Sequence, residues 1–232
     1  MHPKFLSEMA KKNQEETIVD VQEVYSKTEV FFEKNKKAII YGVGGLAVLV
    51  LGYFAATRLY FEPRELEASE NMWKAEEYFR MDSTDKAMYG DNVYMGFEEI
   101  ADKYSGTKSA KRAHYHMGVI LRKSGDFEGA MSHFDEASSL NDETIGTFAI
   151  GGCGDMAVEL GNFEDALSYF LKAAKNSDNA FNRPYFLLKS ATVEMELGKT
   201  DAARKHFKEI TEDFPESNEF RTAEKLLASL GG

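Results

Sequence analysis

Three segments that each begin with glycine recur along the second half of the chain at an almost constant spacing. They begin at Gly125, Gly161 and Gly198, which are 36 and 37 residues apart. A fixed period in this range is typical of proteins that stack one supersecondary unit on the next. Each glycine lies between two stretches with helical period, so it marks a turn where the first helix ends in a left-handed conformation. The sequence therefore predicts a stack of helical hairpins.

Small and aromatic residues occupy the same two positions after each glycine. An alanine lies five residues on, and a phenylalanine lies four residues beyond the alanine. Both fall on one face of the second helix, where alanine allows the first helix to come close and phenylalanine fills the gap between units. The residues are Ala130, Ala166, Ala203, Phe134, Phe170 and Phe207. We expect all of them to be buried.

The repeated segments resemble the tetratricopeptide repeat, a helix–turn–helix unit of about 34 residues. Gly118 and Gly154 stand where that family has its first-helix glycine, and Pro215 stands where it has its closing proline. The resemblance covers about residues 66–230. It implies an all-α fold, with a solenoid of about four helix pairs.

A weaker unit precedes the three clear ones. Its first helix is predicted over about residues 65–80, and its second helix begins around Phe97. The stretch from Met81 to Asn92 between them is predicted to be irregular. At the other end of the stack, Glu219 to Leu230 is predicted to form the terminal cap helix that such repeats need.

A run of twenty residues without a charge, Ala38 to Thr57, lies ahead of the repeats. As a helix it would be about 30 Å long, the thickness of the hydrocarbon core of a bilayer. A soluble core helix of this length would show a polar stripe, and a cleaved signal peptide has a shorter apolar segment. We therefore predict a tail over residues 1–37, a transmembrane helix over 38–60 and the repeat domain over 61–232.

Basic residues flank the apolar run unevenly. Lys34, Lys36 and Lys37 directly precede it, whereas Arg58 and Arg64 follow it among three glutamates. Lysine and arginine next to a span favour the cytoplasmic side, so the N-terminal tail is predicted to be cytoplasmic. The protein would then cross the bacterial inner membrane once and place its repeat domain in the periplasm.

Small residues recur along one face of the predicted span. In lipid, such a face lets the backbone of another helix come close, so we predict helix packing there. The alternative is that glycine is simply common in membrane helices. The face consists of Ala38, Gly42, Gly45, Leu49, Gly52 and Ala56.

The N-terminal tail also contains an amphipathic helical pattern. Its apolar stripe consists of Ile18, Val21, Tyr25, Thr28 and Phe32. The stripe fits either a helical extension of the anchor that lies against the membrane or a cytoplasmic docking helix. The pattern alone does not separate these two possibilities.

The distribution of charge argues against a nucleic-acid partner. The net charge is −11 at pH 7. All of it belongs to residues 58–232, which carry 21 basic and 32 acidic side chains. An acidic domain repels phosphate backbones, so no nucleic acid is expected to bind. The single cysteine excludes an internal disulfide bond.

The sequence contains no arrangement of residues that predicts catalysis. His114 and His116 are two apart on a predicted helix and therefore point to different faces. Cys153 lies among glycines on another predicted helix, where a small packing residue is expected. We predict that the protein is not an enzyme and needs no metal or cofactor.

The first helices of a tetratricopeptide stack line a concave surface, and the resemblance implies which side chains lie on it. This surface could hold a peptide or a helix, although some of its apolar residues could instead belong to the core. The family's two-asparagine, two-lysine clamp for terminal carboxylates is missing, since His116, Gly152 and Ser190 stand at matching positions. The predicted groove residues are Arg112, Tyr115, Val119, Arg122, Phe148, Asp155, Val158, Tyr185, Leu188, Thr192 and Met195.

The whole arrangement is similar to the YfgM type of inner-membrane protein, in versions from Bacteroidetes-type bacteria. The likeness rests on the lysine flank, the single span, the helix around Glu67-Ala68-Ser69-Glu70 and the repeats. It implies an ancillary subunit of the SecYEG translocon that assists protein export. The partners implied are the translocon, a periplasmic prolyl isomerase chaperone of the PpiD type and emerging polypeptides.

Two other functions fit the same sequence features. One is a scaffold or adaptor of another envelope machine, such as outer-membrane assembly or a secretion system. The other is a regulator that acts through its cytoplasmic tail, for which residues 15–37 would matter more than the groove. The sequence alone does not decide among them.

Overall fold

The computed structural model describes residues 3–140, 142–177 and 179–231, with side chains from residue 29 onward except that of Phe32. The chain divides into two compact units, Met1–Tyr60 and Phe61–Gly232. Every regular element in the described ranges is a helix. The all-α prediction is therefore confirmed.

The first unit is dominated by one long helix. Helix α1 covers Pro3–Ala56, and the π-helical turn Thr57–Phe61 begins directly after it. The apolar side chains of α1 are exposed along the uncharged run; Leu49, for example, is 72% exposed. The predicted tail stripe from Ile18 to Thr28, together with Phe32, lies outside the described side chains.

Ten further helices form the second unit, which is the repeat domain. They are α2 (Glu62–Arg80), α3 (Thr84–Tyr89), α4 (Phe97–Lys103), α5 (Lys108–Ser124), α6 (Phe127–Ser138), α7 (Ile145–Glu159), α8 (Phe163–Asn176), α9 (Asn182–Glu196), α10 (Thr200–Asp213) and α11 (Phe220–Ser229). From α4 onward each helix packs on the next in chain order. We refer to α2 with α4, α5 with α6, α7 with α8, and α9 with α10 as the helix pairs; α11 packs on α10 after the last of them.

The glycine turns have the conformation that the sequence predicts. Gly125, Gly161 and Gly198 have φ angles of 83°, 77° and 71°, in the left-handed region. The residue after each glycine donates its backbone N–H to the carbonyl five residues earlier, at 3.0, 2.8 and 2.7 Å respectively. This is the Schellman arrangement, which satisfies carbonyls at the end of the first helix of each pair.

The core follows the repeated alanine and phenylalanine positions. Phe134, Phe170 and Phe207 are between 0 and 2% exposed, and the three matching alanines are fully buried. A β-carbon added to Gly118 would lie 2.8 Å from the Phe134 ring, and one added to Gly154 would lie 2.6 Å from the Phe170 ring. The glycines therefore let each phenylalanine pack directly on the preceding helix backbone.

The first helix pair of the repeat domain differs from the prediction in one respect. The stretch expected to be irregular contains helix α3, whose Ala87 and Met88 are buried. A six-residue helix is too short to show a helical period, so the sequence pattern did not reveal it. The loop after α3 is held by Asp91, whose carboxylate accepts hydrogen bonds from the Tyr78 hydroxyl and from the backbone N–H groups of Val93 and Tyr94. These bonds lower the pKa of Asp91 to about 2, with the Tyr78 hydroxyl as the largest cause.

Candidate functional site: an open groove in the repeat domain

Two adjoining cavities lie on the face formed by the first helices of the pairs. The smaller one has a volume of about 190 Å³ and the larger one of about 740 Å³. Arg122 and Asp155 line both cavities, so the two share a boundary. We call the pair of cavities the groove.

Most of the residues predicted to line a concave surface lie together in this groove. The smaller cavity is lined by Tyr115, Val119, Arg122, Phe148, Asp155 and Tyr185 from the predicted set. The larger cavity adds Val158, Leu188 and Thr192. Two predicted residues do not line either cavity, namely Arg112 and Met195.

These two residues contact other parts of the domain. Arg112 forms an ion pair with Glu76 of α2, with 3.2 Å between Nη2 and Oε1. Met195 packs against the core cluster built from helices α7 to α11. Arg112 therefore links the first and second helix pairs, and Met195 contributes apolar contact in the C-terminal half.

Aromatic rings from neighbouring pairs form the floor of the smaller cavity. The Phe148 ring lies 5.5 Å from Phe186 and 6.0 Å from Tyr185, between ring centroids. Tyr115 lies 5.8 Å from Phe134 in the same way. Phe148 and Tyr185 remain partly exposed, so they present apolar surface to the groove as well as packing on the core.

Glycines in α7 allow two aromatic rings to pack against its backbone beside the smaller cavity. A β-carbon on Gly151 would lie 2.1 Å from the Phe186 ring, and one on Gly152 would lie 2.8 Å from the Phe134 ring. The two rings therefore lie directly on the α7 backbone from opposite neighbours. Because α7 carries no side chain at these positions, the two rings pack on its backbone and line the smaller cavity with it.

Charged side chains cluster at the boundary between the two cavities. The Asp155 carboxylate accepts a hydrogen bond from Lys189 Nζ at 2.6 Å. Arg122 Nη1 lies 3.8 Å from the other Asp155 oxygen. The ammonium of Lys189 also lies 5.2 Å from the Phe170 centroid and 5.1 Å from the Tyr185 centroid, within cation–π range.

This environment keeps Lys189 charged. Burial on its own would lower the pKa of Lys189, but the adjacent Asp155 carboxylate more than offsets that effect. The pKa of Lys189 therefore lies above its ordinary value. Lys189 was not predicted as a groove residue; its sequence position, next to Leu188 on the predicted inner face, was the only available indication.

The remaining reactive side chains lie in packed surroundings. Burial raises the pKa of the Cys153 thiol to about 12, which leaves it protonated and a poor nucleophile. His116 is stacked on Phe97, with ring centroids 4.8 Å apart, and burial lowers its pKa to about 4. Among the described residues, no three histidine, cysteine or acidic side chains are grouped so that they could hold a metal ion.

The predicted small-residue face of the span lies on α1. Within the described part of the chain, a β-carbon added to Gly42, Gly45 or Gly52 would have no atom of another segment within 4 Å, so space is open around these glycines. One helix in the described chain is long and apolar enough to cross a membrane, and no residue of its apolar window is buried. The face also includes Ala38, Leu49 and Ala56, and all three are exposed.

Comparison with known proteins gives one family. The family model of the tetratricopeptide repeat-like domain matches residues 29–226. This range covers most of the chain and includes the apolar run of α1 as well as the repeats. No curated protein matches the chain. The chain belongs to the tetratricopeptide repeat-like domain family.

Proposed function

We propose that the protein is a membrane-anchored interaction subunit that assists protein export beside a SecYEG-type translocon. Domains of this family are typically non-catalytic modules for protein interaction, and the open groove provides a surface for that role. The observation that carries the proposal is the pairing of this groove with an exposed apolar helix within one family match. The likeness to the YfgM type of protein supports the choice of machine.

The proposed topology places the tail, residues 1–37, in the cytoplasm and the repeat domain, residues 61–232, in the periplasm. The helix over 38–60 would cross the inner membrane once. The excess of lysine just before the apolar run supports this orientation. A tail in the periplasm would contradict it.

Thiol labelling in whole cells tests this topology. Glu224 is exposed on α11, so Glu224→Cys should react with a membrane-impermeant maleimide once the outer membrane is permeabilised. The unchanged protein is the matched control, because its Cys153 is buried with a raised pKa. Labelling of Glu224→Cys only after lysis of the inner membrane would place the repeat domain in the cytoplasm instead.

The proposed partners are the translocon, a PpiD-type periplasmic chaperone and emerging polypeptides. Helix α1 would pack on a partner helix through Gly42, Gly45 and Gly52, where no part of the described chain fills the space. The groove would meet the chaperone or the emerging chain. This division of roles gives each surface its own test.

Purification in a mild detergent tests the proposed function. The tagged full-length protein should bring translocon subunits and a prolyl isomerase chaperone with it, as identified by mass spectrometry. Gly45→Leu combined with Gly52→Leu should weaken the association with the translocon. Leu51→Ala, an exposed position outside the small-residue face, is the matched control and should leave it unchanged.

The same experiment separates the two other functions. Recovery of outer-membrane assembly or secretion components instead would indicate a scaffold for that machine. Recovery of a cytoplasmic signalling protein, lost when residues 15–37 are deleted, would indicate a regulator that acts through its tail.

A further inference from the structure

The outer side of helix α2 carries apolar side chains that are exposed to water. Leu66 and Trp73 are seven residues apart, so they lie on one side of the helix, and they are 63% and 52% exposed. The buried residues of α2 lie on its other side, where it packs against α3, α4 and α5. Because α2 is the first helix of the repeat domain, Leu66 and Trp73 mark one end of the stack.

The loop after α3 enlarges this apolar surface and holds it in a fixed shape. The Tyr94 ring lies 5.6 Å from Trp73 between ring centroids, and Val93 beside it is 78% exposed. The backbone N–H groups of Val93 and Tyr94 both donate hydrogen bonds to the Asp91 carboxylate. A surface that is already ordered loses little conformational entropy when it binds a partner. We call Leu66, Trp73, Val93 and Tyr94 the end face.

The C-terminal end of the stack is closed in a different way. Helix α11 packs on α10 there, and along its described length no large apolar side chain is exposed. Repeat stacks need a polar outer surface at each end to remain separate in water. The end face lacks such a surface. An exposed apolar patch with polar groups around it is typical of a site where another molecule binds.

Two unlike charges on α2 indicate which partner fits the end face. Glu70 lies three residues before Trp73 and Arg80 seven residues after it, so both share the side of the helix that bears Trp73. Both are exposed, and neither forms an ion pair or a side-chain hydrogen bond within the described residues. Lys74 and Glu77, by contrast, pair with each other at 2.7 Å. The end face is therefore flanked by an unpaired negative charge and an unpaired positive charge.

A second copy of this chain supplies the matching charges. When two α2 helices lie side by side and antiparallel about a two-fold axis level with Ala75, Glu70 of each copy faces Arg80 of the other. Trp73 then lies about 3 Å from the axis along the helix, since two residues rise by that distance. The two Trp73 rings therefore lie near the centre of the contact, between two ion pairs.

A lipid surface fits the end face less well than a second copy does. Helix α2 contains six acidic and three basic residues. Anionic headgroups attract basic segments and repel an acidic one. A second copy instead pairs Glu70 with Arg80 twice and covers the apolar residues of both chains.

We propose that two copies of this chain associate through the end face, with their α2 helices antiparallel and Glu70 of each copy paired with Arg80 of the other. This inference goes beyond the proposed export function and holds whichever machine the protein serves. It assigns the protein a contact surface that is separate from the groove and from the small-residue face of α1.

Charge reversal at the two positions tests the proposal. Sedimentation velocity of the full-length protein in a mild detergent should show a dimer forming as the concentration is raised. Glu70→Arg places arginine opposite arginine, and Arg80→Glu places glutamate opposite glutamate, so each variant should dimerise at least tenfold more weakly. The double variant restores both ion pairs with reversed sign and should dimerise within threefold of the unchanged protein. Glu224→Arg, at an exposed position on α11, is the matched control and should leave dimerisation unchanged.

A mixture of the two single variants gives the sharpest test. In a mixed dimer the arginine introduced at position 70 faces the glutamate introduced at position 80, and the original Arg80 faces the original Glu70. The mixture should therefore dimerise at least tenfold more tightly than either variant alone. This recovery also shows that both variants are folded, because a misfolded chain would not regain the contact.

The fluorescence of Trp73 reports on the end face directly, because it is the only tryptophan of the chain. Its emission should shift to shorter wavelength as the dimer forms. Glu70→Arg should keep the emission of the monomer over the same range of concentration.

Four results would overturn the proposal. The first is a chain that stays monomeric at every concentration, and the second is a dimer that both single charge reversals leave intact. The third is a mixture of the single variants that associates no better than each variant alone. The fourth is strong quenching of Trp73 by brominated lipid in vesicles, which would show that the end face lies on the bilayer.

Discussion

The apolar run of α1 and the repeat helices are both helical, yet they place their apolar side chains in opposite environments. Along α1 the large apolar side chains are exposed, whereas the phenylalanines at the repeated positions are at most 2% exposed. The difference follows from the pattern of the sequence. A helix that is apolar all round has no polar face to turn to water, and a helix with one apolar stripe buries that stripe against a neighbour. The same property, hydrophobicity, thus predicts an anchor in one region and a core in the other.

Charging the apolar run should break the first half of this contrast with the largest effect. Leu46→Arg combined with Val50→Arg places two arginines at the centre of the span. Each costs about 2.5–3.5 kcal/mol of insertion free energy, so the protein should leave the membrane fraction. Resistance to extraction with alkaline carbonate measures this.

A control with the same added charge lies in the repeat domain. Leu66→Arg combined with Met81→Arg alters two exposed residues outside the apolar run. This variant should stay in the membrane fraction. Equal extraction of both variants would show that the uncharged run is not what anchors the protein.

Removing a repeat phenylalanine should break the second half of the contrast. Phe170→Ala deletes a ring that is packed on the α7 backbone at Gly154. We expect the free energy of unfolding to fall by about 3–5 kcal/mol, because a cavity replaces the ring. Thermal unfolding followed by circular dichroism checks this. Leu171→Ala, at the next and partly exposed position, should cost less than about 1 kcal/mol.

Protonation of a buried histidine should weaken the first half of the repeat stack in acid. Burial lowers the pKa of His116 from 6.5 to about 4, with the nearby Arg112 as a smaller cause. The unfolded chain therefore binds the proton more readily between these two pH values. The free energy of unfolding should be greatest above pH 6.5 and fall by about 2–3 kcal/mol as the pH drops to 4.

Replacing that histidine sharpens the test. His116 Nδ1 has no hydrogen-bond partner in the described chain, so His116→Phe removes a polar atom that is buried without a bond. Urea unfolding at pH 7, 5.5 and 4 measures the free energy of unfolding at each pH. In this variant most of its decrease in acid should disappear. A smaller fall should remain from His114 and His133, since burial also lowers the pKa of each. If the free energy of unfolding of His116→Phe fell with pH as steeply as that of the unchanged protein, the assignment of the acid effect to His116 would be refuted.

Substitution of a turn glycine should change the free energy of unfolding least. Gly161 has a φ of 77°, and no atom of the described residues, its chain neighbours aside, lies within 4 Å of a β-carbon added there. Gly161→Ala should therefore cost only the backbone strain, about 1–2 kcal/mol. Gly161→Asn should cost less than half of that, because asparagine tolerates the left-handed region. Equal losses for the two variants in chemical unfolding would point to a cause other than backbone conformation.

The sequence was sufficient to predict the features that recur in each repeat. It was insufficient to predict features that occur once or that depend on contacts between repeats. The turn at Gly161 and the burial of Phe170 recur in each unit, so the repeat pattern predicts them. Helix α3 occurs once and is too short to show a period. The pairing of Asp155 with Lys189 joins residues 34 positions apart. This pairing depends on how α7 and α9 pack, which no local sequence pattern predicts.

The groove shows the same division. The positions on its inner face were implied by the resemblance to the tetratricopeptide repeat, and most of them line the two cavities. The packing of aromatic rings at α7 depends instead on Gly151 and Gly152, which leave room for the rings of Phe186 and Phe134. In the sequence these glycines are indistinguishable from flexible residues. Their function follows only from the neighbouring helices.

Photocrosslinking in living cells tests most directly the claim that the groove is where the protein meets its partners. Thr192 lies in the larger cavity, and Lys172 is exposed on α8 outside both cavities. A photoreactive phenylalanine analogue would replace each of them in the full-length protein. The account predicts crosslinks to chaperone or exported chains from position 192 and few from position 172. Equal crosslinking from both positions, or none from position 192, would contradict it.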